Sequence, residues 1–217
     1  MRYRCLVMDH DDTVVNSTAT IHFPSFLAYL QKVRPGKTYT LEDYFSKNFD
    51  PGIISLFTDE LGFSKREMDE EFAFWQEYVK TRVPKAYPGI REILERHKAE
   101  GGLLAVISHS VRDTIVRDYR ENDLPQPDVI FGWELPEHQR KPHPWPMEQL
   151  MQRYGLRPEE ILTVDDLKPG YDMCRACGVP LAAAGWANDV PEIERFMRQN
   201  CDFYFKTVAE LDAFLRE

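Results

Sequence analysis

The sequence predicts an α/β protein in which a doubly wound parallel sheet carries an inserted helical domain. From about residue 88 onward, short apolar runs alternate with helical patterns, which is typical of a parallel sheet with helices on both faces. Residues 17–87 almost lack strand patterns and are dominated by helical ones. The first apolar run also ends in a group of carboxylates, at the place where open α/β sheets bind ligands.

Six apolar runs are the predicted strands, and helical patterns fill the intervals between the later ones. The strands are Leu6–Met8, Leu103–Ile107, Asp128–Phe131, Ile161–Val164, Pro180–Ala184 and Phe203–Phe205. The helices are Ile90–Glu100, Val111–Glu121, Pro146–Tyr154, Tyr171–Cys177 and Pro191–Gln199. Thr207 and Glu210 have the spacing of a capping box, which predicts one more helix at the end of the chain.

The inserted segment has its own helical pattern. We predict helices over Pro24–Val33, Leu41–Lys47, Ile53–Leu61 and Lys65–Val83. Ser64 and Glu67 form a capping box for the last of these. We therefore expect a core domain made of residues 1–16 and 88–217 and a helical domain made of residues 17–87.

Composition excludes several classes of partner. The 217 residues carry a net charge of −9, which argues against non-specific nucleic-acid binding and against anionic membrane surfaces. No apolar run approaches the ~20 residues of a membrane span, and the first residues lack the apolar segment of a signal peptide. We expect a cytoplasmic protein that is a monomer or a weak homodimer.

The stretch from Leu6 to Thr13 is the most informative part of the chain. Its apolar residues are followed at once by the three carboxylates of Asp9, Asp11 and Asp12. Carboxylates this close repel one another, so a hard divalent cation such as Mg²⁺ is expected beside them. The alternative is a solvated acidic turn, which seldom follows directly on a buried strand.

Three later segments place polar residues at or beside the carboxyl ends of predicted strands. They are Ser108-His109-Ser110, Lys141-Pro142-His143-Pro144 and the run from Asp165-Asp166 to Gly170. In a doubly wound sheet these segments and the first acidic stretch can converge on one crevice. The sequence therefore predicts one site that combines carboxylates, a lysine and hydroxyl groups.

In the order and spacing of these four segments, the chain resembles the haloacid dehalogenase-like hydrolase superfamily, in the subclass with a helical cap inserted after the first motif. Asp9, Asp11 and Thr13 match its D-x-D-x-T motif, and Ser108 matches its Ser or Thr after an apolar strand. Lys141-Pro142 and the acidic pair Asp165-Asp166 with Gly170 match the other two motifs. The resemblance implies a Rossmann-like core and a cap domain over residues 17–87.

The resemblance also implies a function, a Mg²⁺-dependent phosphohydrolase that acts on a small phosphorylated metabolite through an aspartyl-phosphate. Asp9 would be the nucleophile, and Asp11 would protonate the leaving group and then deprotonate water. The implied ligands of Mg²⁺ are Asp9, the backbone carbonyl of Asp11, Asp166, and Asp165 directly or through water. The implied phosphate-binding groups are Ser108, the backbone N–H of His109, and Lys141.

Two alternative functions stay open. One is a phosphomutase of the same family, similar to β-phosphoglucomutase, and the other is a non-catalytic phosphate-binding or regulatory protein. Asp11 disfavours dehalogenase and phosphonoacetaldehyde hydrolase chemistry, because those relatives differ at this position.

Two residues of the first motif depart from the family pattern. His10 stands where an apolar residue is usual, and it either contacts the substrate or the cap or makes a structural hydrogen bond at the domain junction. Asp12 stands where Gly is frequent, and we expect the loop to keep its shape because Asp tolerates left-handed backbone conformations.

Overall fold

Six parallel strands form one sheet in the computed structural model of the protein, which describes residues 2–217. The strands are β1 (Cys5–Met8), β2 (Leu103–Ile107), β3 (Val129–Phe131), β4 (Ile161–Asp165), β5 (Leu181–Ala184) and β6 (Phe203–Phe205). Their order across the sheet is β3-β2-β1-β4-β5-β6, and every neighbouring pair is parallel. The predicted α/β class is confirmed.

Each inner strand sends alternate side chains into two separate hydrophobic cores, one on each face of the sheet. Leu6 and Met8 of β1 belong to the first core, whereas Cys5 and Val7 belong to the second. All four side chains are buried, which explains why β1 is a continuous apolar run instead of an alternating one. The same alternation places Leu104 in the first core and Ala105 in the second.

Six helices cover the sheet. They are α5 (Ile90–Ala99), α6 (Arg112–Glu121), α7 (Trp145–Tyr154), α8 (Lys168–Cys177), α9 (Pro191–Asn200) and α10 (Val208–Arg216). Helices α5, α6 and α10 supply side chains to the first core, and α7 and α8 supply the second. The predicted capping box opens α10, with Glu210 N–H donating to Thr207 Oγ1 at 3.2 Å. Helix α8 begins three residues before the predicted Tyr171, because Pro169 fits the first turn of a helix.

The segment between β1 and α5 is helical and has a core of its own. A π-helical turn (Thr18–His22) leads into α1 (Phe23–Val33), which is followed by α2 (Leu41–Phe49), α3 (Ile53–Ser55) with a second π-helical turn (Leu56–Glu60), and α4 (Lys65–Val79). Aromatic and aliphatic side chains fill the core, among them Phe26, Leu30, Leu56 and Phe57. The predicted capping box at Ser64 is present.

Helix α4 ends at Val79, four residues before the predicted Val83. The carbonyl of Tyr78 accepts a hydrogen bond from the Arg82 guanidinium at 2.7 Å, while the Arg82 N–H donates to Val79 O at 3.0 Å. The Arg82 side chain thus occupies the Tyr78 carbonyl, which the Arg82 backbone N–H would have bonded if the helix had continued. This end was not predictable from apolar periodicity.

The chain divides into two units, one made of residues up to Asn16 together with Lys85–Glu217, and the other made of Ser17–Pro84. The first unit contains the whole sheet and α5–α10, and the second contains α1–α4. Within residues 2–217, no helix has the length and apolar character that crossing a membrane requires.

Candidate active site

The strand order reverses at the centre of the sheet, between β1 and β4. The chain runs outward from β1 through β2 to β3, then returns to β4 and runs the other way. Such a switch point opens a crevice at the carboxyl ends of the strands. Asp9 follows β1 directly, with its N–H bonded to Val164 O at 2.9 Å, and Asp165 is the last residue of β4. The two carboxylates therefore lie side by side at this edge.

Three buried carboxylates and one buried ammonium group form the centre of the site. Carboxylate oxygens of Asp9, Asp165 and Asp166 lie within 4.8 Å of one another, and these residues are only 5%, 1% and 3% exposed. Lys141 Nζ donates to Asp9 Oδ1 at 2.7 Å and to Asp165 Oδ2 at 2.8 Å. The lysine links the end of β1 to the end of β4 and offsets part of the negative charge.

Burial makes this charge arrangement costly. Desolvation raises the pKa of Asp9 to about 7, with Lys141 acting in the opposite direction. Desolvation and the neighbouring carboxylates also raise the pKa of Asp166 well above its usual value. Burial alone would lower the pKa of Lys141, but the two carboxylates raise it above its ordinary value, so the ammonium group stays charged. A further cation would relieve the repulsion among the acids.

The donor atoms fit a hard divalent cation. Among residues 2–217, Asp166 Oδ2 is buried without a hydrogen-bond partner, and its other oxygen accepts a long bond of 3.5 Å from Thr13 Oγ1. A buried carboxylate oxygen without a partner is costly unless an ion binds it. All the side-chain ligands here are carboxylate oxygens, which Mg²⁺ prefers. The residues present are therefore suited to hold Mg²⁺.

Gly170 allows helix α8 to approach the acidic cluster. A Cβ atom at this position would lie 2.1 Å from Asp165 Oδ2. The carboxylate cannot move aside freely, because Asp165 Oδ1 accepts the Leu167 N–H at 3.0 Å and Oδ2 is held by Lys141. The spacing from the acidic pair to the glycine is thus a packing requirement of the site.

The loop after β1 is closed by backbone hydrogen bonds. The carbonyl of His10 accepts the N–H groups of Val14 and Val15, and the Asp12 N–H donates to Val15 O at 2.7 Å. Asp12 adopts the left-handed conformation with φ 60°, as the expectation for this position required. The carbonyl of Thr13 accepts a bond from Trp186 Nε1 at 3.2 Å, which ties the loop to the segment after β5.

The loop after β2 carries the predicted phosphate-binding groups. Ser108 is buried, and its Oγ accepts the Ser110 N–H at 3.1 Å, which leaves its own proton for another acceptor. Within the described residues, no acceptor is found for the backbone N–H of His109. The His109 ring lies beside Lys141, with 2.6 Å between Nε2 and Lys141 O. Burial lowers the pKa of His109 to about 4, so the ring is neutral at physiological pH.

The side chain of His10 is fully buried inside the α/β unit, with an exposure of 0%. Its Nε2 lies 3.2 Å from Asp118 Oδ2 on α6, and its ring stacks on Tyr119 with centroids 5.9 Å apart. Of the two roles considered for His10, the geometry favours the structural hydrogen bond. That bond joins two residues of the α/β unit.

The sequence motifs assign no role to three residues of this region. Ser110 Oγ donates to Asp11 Oδ2 at 2.5 Å. Asp118 Oδ2 lies within hydrogen-bond distance of His10 Nε2, and Trp186 Nε1 donates to the carbonyl of Thr13. Ser110 could have been noticed, since it follows Ser108 by two residues at the same strand end. Asp118 and Trp186 lie far along the chain, and no motif marks them.

Comparison with known proteins agrees with this arrangement. The family model described as haloacid dehalogenase-like hydrolase matches residues 6–184. A pyrophosphatase, PpaX, from Bacillus cereus is 25% identical over 197 residues, which cover 86% of this chain and 85% of the relative. A phosphoglycolate phosphatase from Haemophilus influenzae is 26% identical over 151 residues, or 67% of this chain and 64% of the relative.

A similar fold is found among solved structures. A haloacid dehalogenase-like hydrolase from Bacteroides fragilis has a TM-score of 0.79 at 21% identity, with 96% of this chain and 99% of that chain covered. The family match spans most of the chain and includes the residues after β1, the loop after β2, Lys141 and the acidic pair. The protein is therefore a member of the haloacid dehalogenase-like hydrolase family.

Proposed function

We propose that the protein is a Mg²⁺-dependent phosphohydrolase that cleaves a small phosphorylated metabolite through an aspartyl-phosphate on Asp9. The observation that carries the proposal is the buried Asp9 carboxylate, held by Lys141 Nζ at 2.7 Å beside Asp165 and Asp166. The related pyrophosphatase and phosphoglycolate phosphatase support a phosphatase as the enzyme class.

In the first step, an Asp9 oxygen attacks phosphorus while the bond from phosphorus to the leaving oxygen breaks. A carboxylate that approaches a phosphate dianion meets charge repulsion, so positive charge must lie beside both groups. Lys141 supplies one such charge at 2.7 Å from Asp9. The Ser108 hydroxyl and the His109 N–H are the proposed donors to the phosphoryl oxygens.

A bound Mg²⁺ would add further charge neutralisation at the same oxygens. Asp9, Asp166 and the backbone carbonyl of Asp11 are its proposed ligands, with Asp165 bound directly or through water. The hydrogen bond from Leu167 N–H and the ion pair with Lys141 hold the Asp165 carboxylate in a fixed orientation.

Asp11 is the proposed acid and base. Its carboxyl proton passes to the leaving oxygen as the P–O bond breaks, and the same carboxylate then accepts a proton from the attacking water. The new bond from the water oxygen to phosphorus displaces the Asp9 oxygen and releases phosphate. After the second step, Asp9 is again a free carboxylate and Asp11 is again protonated.

We further propose that the helical unit is the cap domain that selects the leaving group, as family membership implies. Transfer to a sugar hydroxyl instead of water would make the protein a phosphomutase. The two relatives are named as phosphatases, so hydrolysis is the function proposed.

The test is a panel of phosphorylated compounds with Mg²⁺, scored for free phosphate and for isomerised product. The panel includes phosphoglycolate and pyrophosphate, which the names of the two relatives suggest, together with sugar phosphates. We expect phosphate release that EDTA abolishes and that Asp9→Asn loses, whereas the exposed Asp113→Asn retains it. Isomerised product without phosphate would contradict hydrolysis, and inactivity on every compound would favour a binding protein.

A further inference from the structure

The carboxylate of Asp11 is held by a serine from the neighbouring strand end. Ser110 Oγ donates a hydrogen bond to Asp11 Oδ2 at 2.5 Å. The contact follows from the sheet register. Met8 of β1 is paired with Val106 of β2, so the loops that carry Asp11 and Ser110 leave the sheet side by side.

Ser110 is itself fixed in place. It is 2% exposed, its N–H donates to Ser108 Oγ at 3.1 Å, and its carbonyl accepts the Trp133 N–H at 2.9 Å. Gly132 allows the approach of this backbone, because a Cβ there would lie 2.9 Å from Ser110 O. A hydroxyl on such an anchored residue can define the orientation of the side chain that it bonds.

A fixed orientation matters for Asp11 because this residue is the proposed proton donor. Its carboxyl group is half-buried and lies outside the cluster formed by Asp9, Asp165 and Asp166. A proton donor works only when it lies within hydrogen-bond reach of the leaving oxygen. Free rotation of the carboxylate would reduce the fraction of complexes in that geometry.

We propose that Ser110 is a positioning residue that orients the Asp11 carboxylate for proton transfer to the leaving group. The inference rests on the proposed function, in which Asp11 is the acid. The effect of Ser110 is therefore selective, because it concerns only substrates whose leaving group needs a proton. Alkyl phosphates are such substrates. p-Nitrophenyl phosphate is not, because its leaving group departs readily as the p-nitrophenolate anion.

The experiment compares kcat/KM of the wild-type protein and Ser110→Ala over phosphate esters of increasing leaving-group pKa. This ratio reports the steps up to formation of the aspartyl-phosphate, so later hydrolysis does not affect it. General acid catalysis contributes about 10²–10⁴-fold. We expect Ser110→Ala to lose about 10-fold to 100-fold of kcat/KM on alkyl phosphates, which is part of that contribution, and to keep most of it on p-nitrophenyl phosphate.

Three further variants sharpen the comparison. Ser110→Thr keeps a hydroxyl and should turn over alkyl phosphates like the wild-type protein. Ser110→Cys has a thiol, which is a weak donor, and should show the selective loss even if the alanine variant folds poorly. Ser25→Ala is the matched control, because Ser25 is about as buried as Ser110 and its Oγ has no hydrogen-bond partner among the described residues. It should not change the dependence on leaving group.

The outcomes separate the inference from the proposed function. An equal loss on all esters, no loss, or faster turnover in Ser110→Ala would overturn the positioning role while leaving the phosphatase assignment intact. A wild-type protein that is inactive on the whole series would contradict both.

Discussion

Asp166 is the residue whose environment is most directly suited to a cation. Its Oδ2 is buried without a hydrogen-bond partner, and such an atom costs about 1–3 kcal/mol of stability. A residue kept at this cost serves function at the expense of stability. The sequence pattern predicts its place at the end of β4, but only the packing reveals the unsatisfied oxygen.

Replacing Asp166 should therefore separate stability from cation binding. We expect Asp166→Asn without metal to unfold at the same or a higher temperature than the wild-type protein, because one buried charge is removed. We expect Mg²⁺ to raise the Tm of the wild-type protein and to leave the Tm of the variant unchanged. Calorimetry with EDTA and with Mg²⁺ measures both effects. A variant that still gains the full shift with Mg²⁺ would show that Asp166 is not a ligand.

His10 gives a second prediction at the scale of one residue. His10→Leu removes the 3.2 Å bond to the buried Asp118, whose other partner is the Arg117 guanidinium. We expect a loss of about 1–3 kcal/mol in the free energy of unfolding, with kcat/KM of the folded variant within a few-fold of the wild-type value. Urea unfolding and phosphatase assays measure the two quantities.

The exposed His138→Leu is the control for His10, and it should leave both quantities unchanged. Lost activity at unchanged stability in His10→Leu would instead indicate that His10 contacts the substrate. Sequence alone left this choice open, because the direction of a side chain in a tight loop depends on α6, which lies about 100 residues away.

At the scale of elements, the contact between β4 and α8 depends on Gly170. A Cβ at that position would lie 2.1 Å from the Asp165 carboxylate. We expect Gly170→Ala to displace Asp165 from Lys141, to cost about 1–3 kcal/mol of stability through overpacking, and to lower kcat strongly. Thermal unfolding and steady-state kinetics test this pair of effects.

Asp172→Ala on the same helix is the control for Gly170. It removes a half-buried ion pair with Lys168 one helical turn away, and pairs at this spacing contribute about 0.3–0.5 kcal/mol. Should Gly170→Ala match this control in both stability and kcat, the close approach of α8 to the acidic cluster would not matter for the site.

Elements were predictable where one local signal dominates. Strands β2 and β6 begin and end where the apolar runs do, and the capping boxes at Ser64 and Thr207 fix the starts of α4 and α10. The end of α4 was not predictable, because it depends on which donor reaches the Tyr78 carbonyl. The π-helical turn Thr18–His22 likewise has no periodic signal that distinguishes it from an α-helix.

At the scale of the whole molecule, the fold determines where the chemistry can occur. The alternating pattern predicted a parallel sheet, and the reversal of strand order between β1 and β4 brings Asp9 and Asp165 together. The net charge of −9 does not prevent an anionic substrate from binding, because Lys141 and the proposed cation would offset the charge of the carboxylates at the site itself. The hydrogen bond between Ser110 and Asp11 depends on side-chain rotamers, which motif spacing does not contain.

The most direct test of the central claim is chemical trapping of the intermediate on Asp9. Wild-type protein is mixed with Mg²⁺ and a substrate from the panel, quenched in acid or reduced with borohydride, and mapped by mass spectrometry. We predict a phosphoryl group, or the homoserine formed by its reduction, on Asp9 in the wild-type protein and neither product in Asp9→Asn. Turnover of the same substrate with Asp9 unmodified under every quench, or with the label on another residue, would contradict the account.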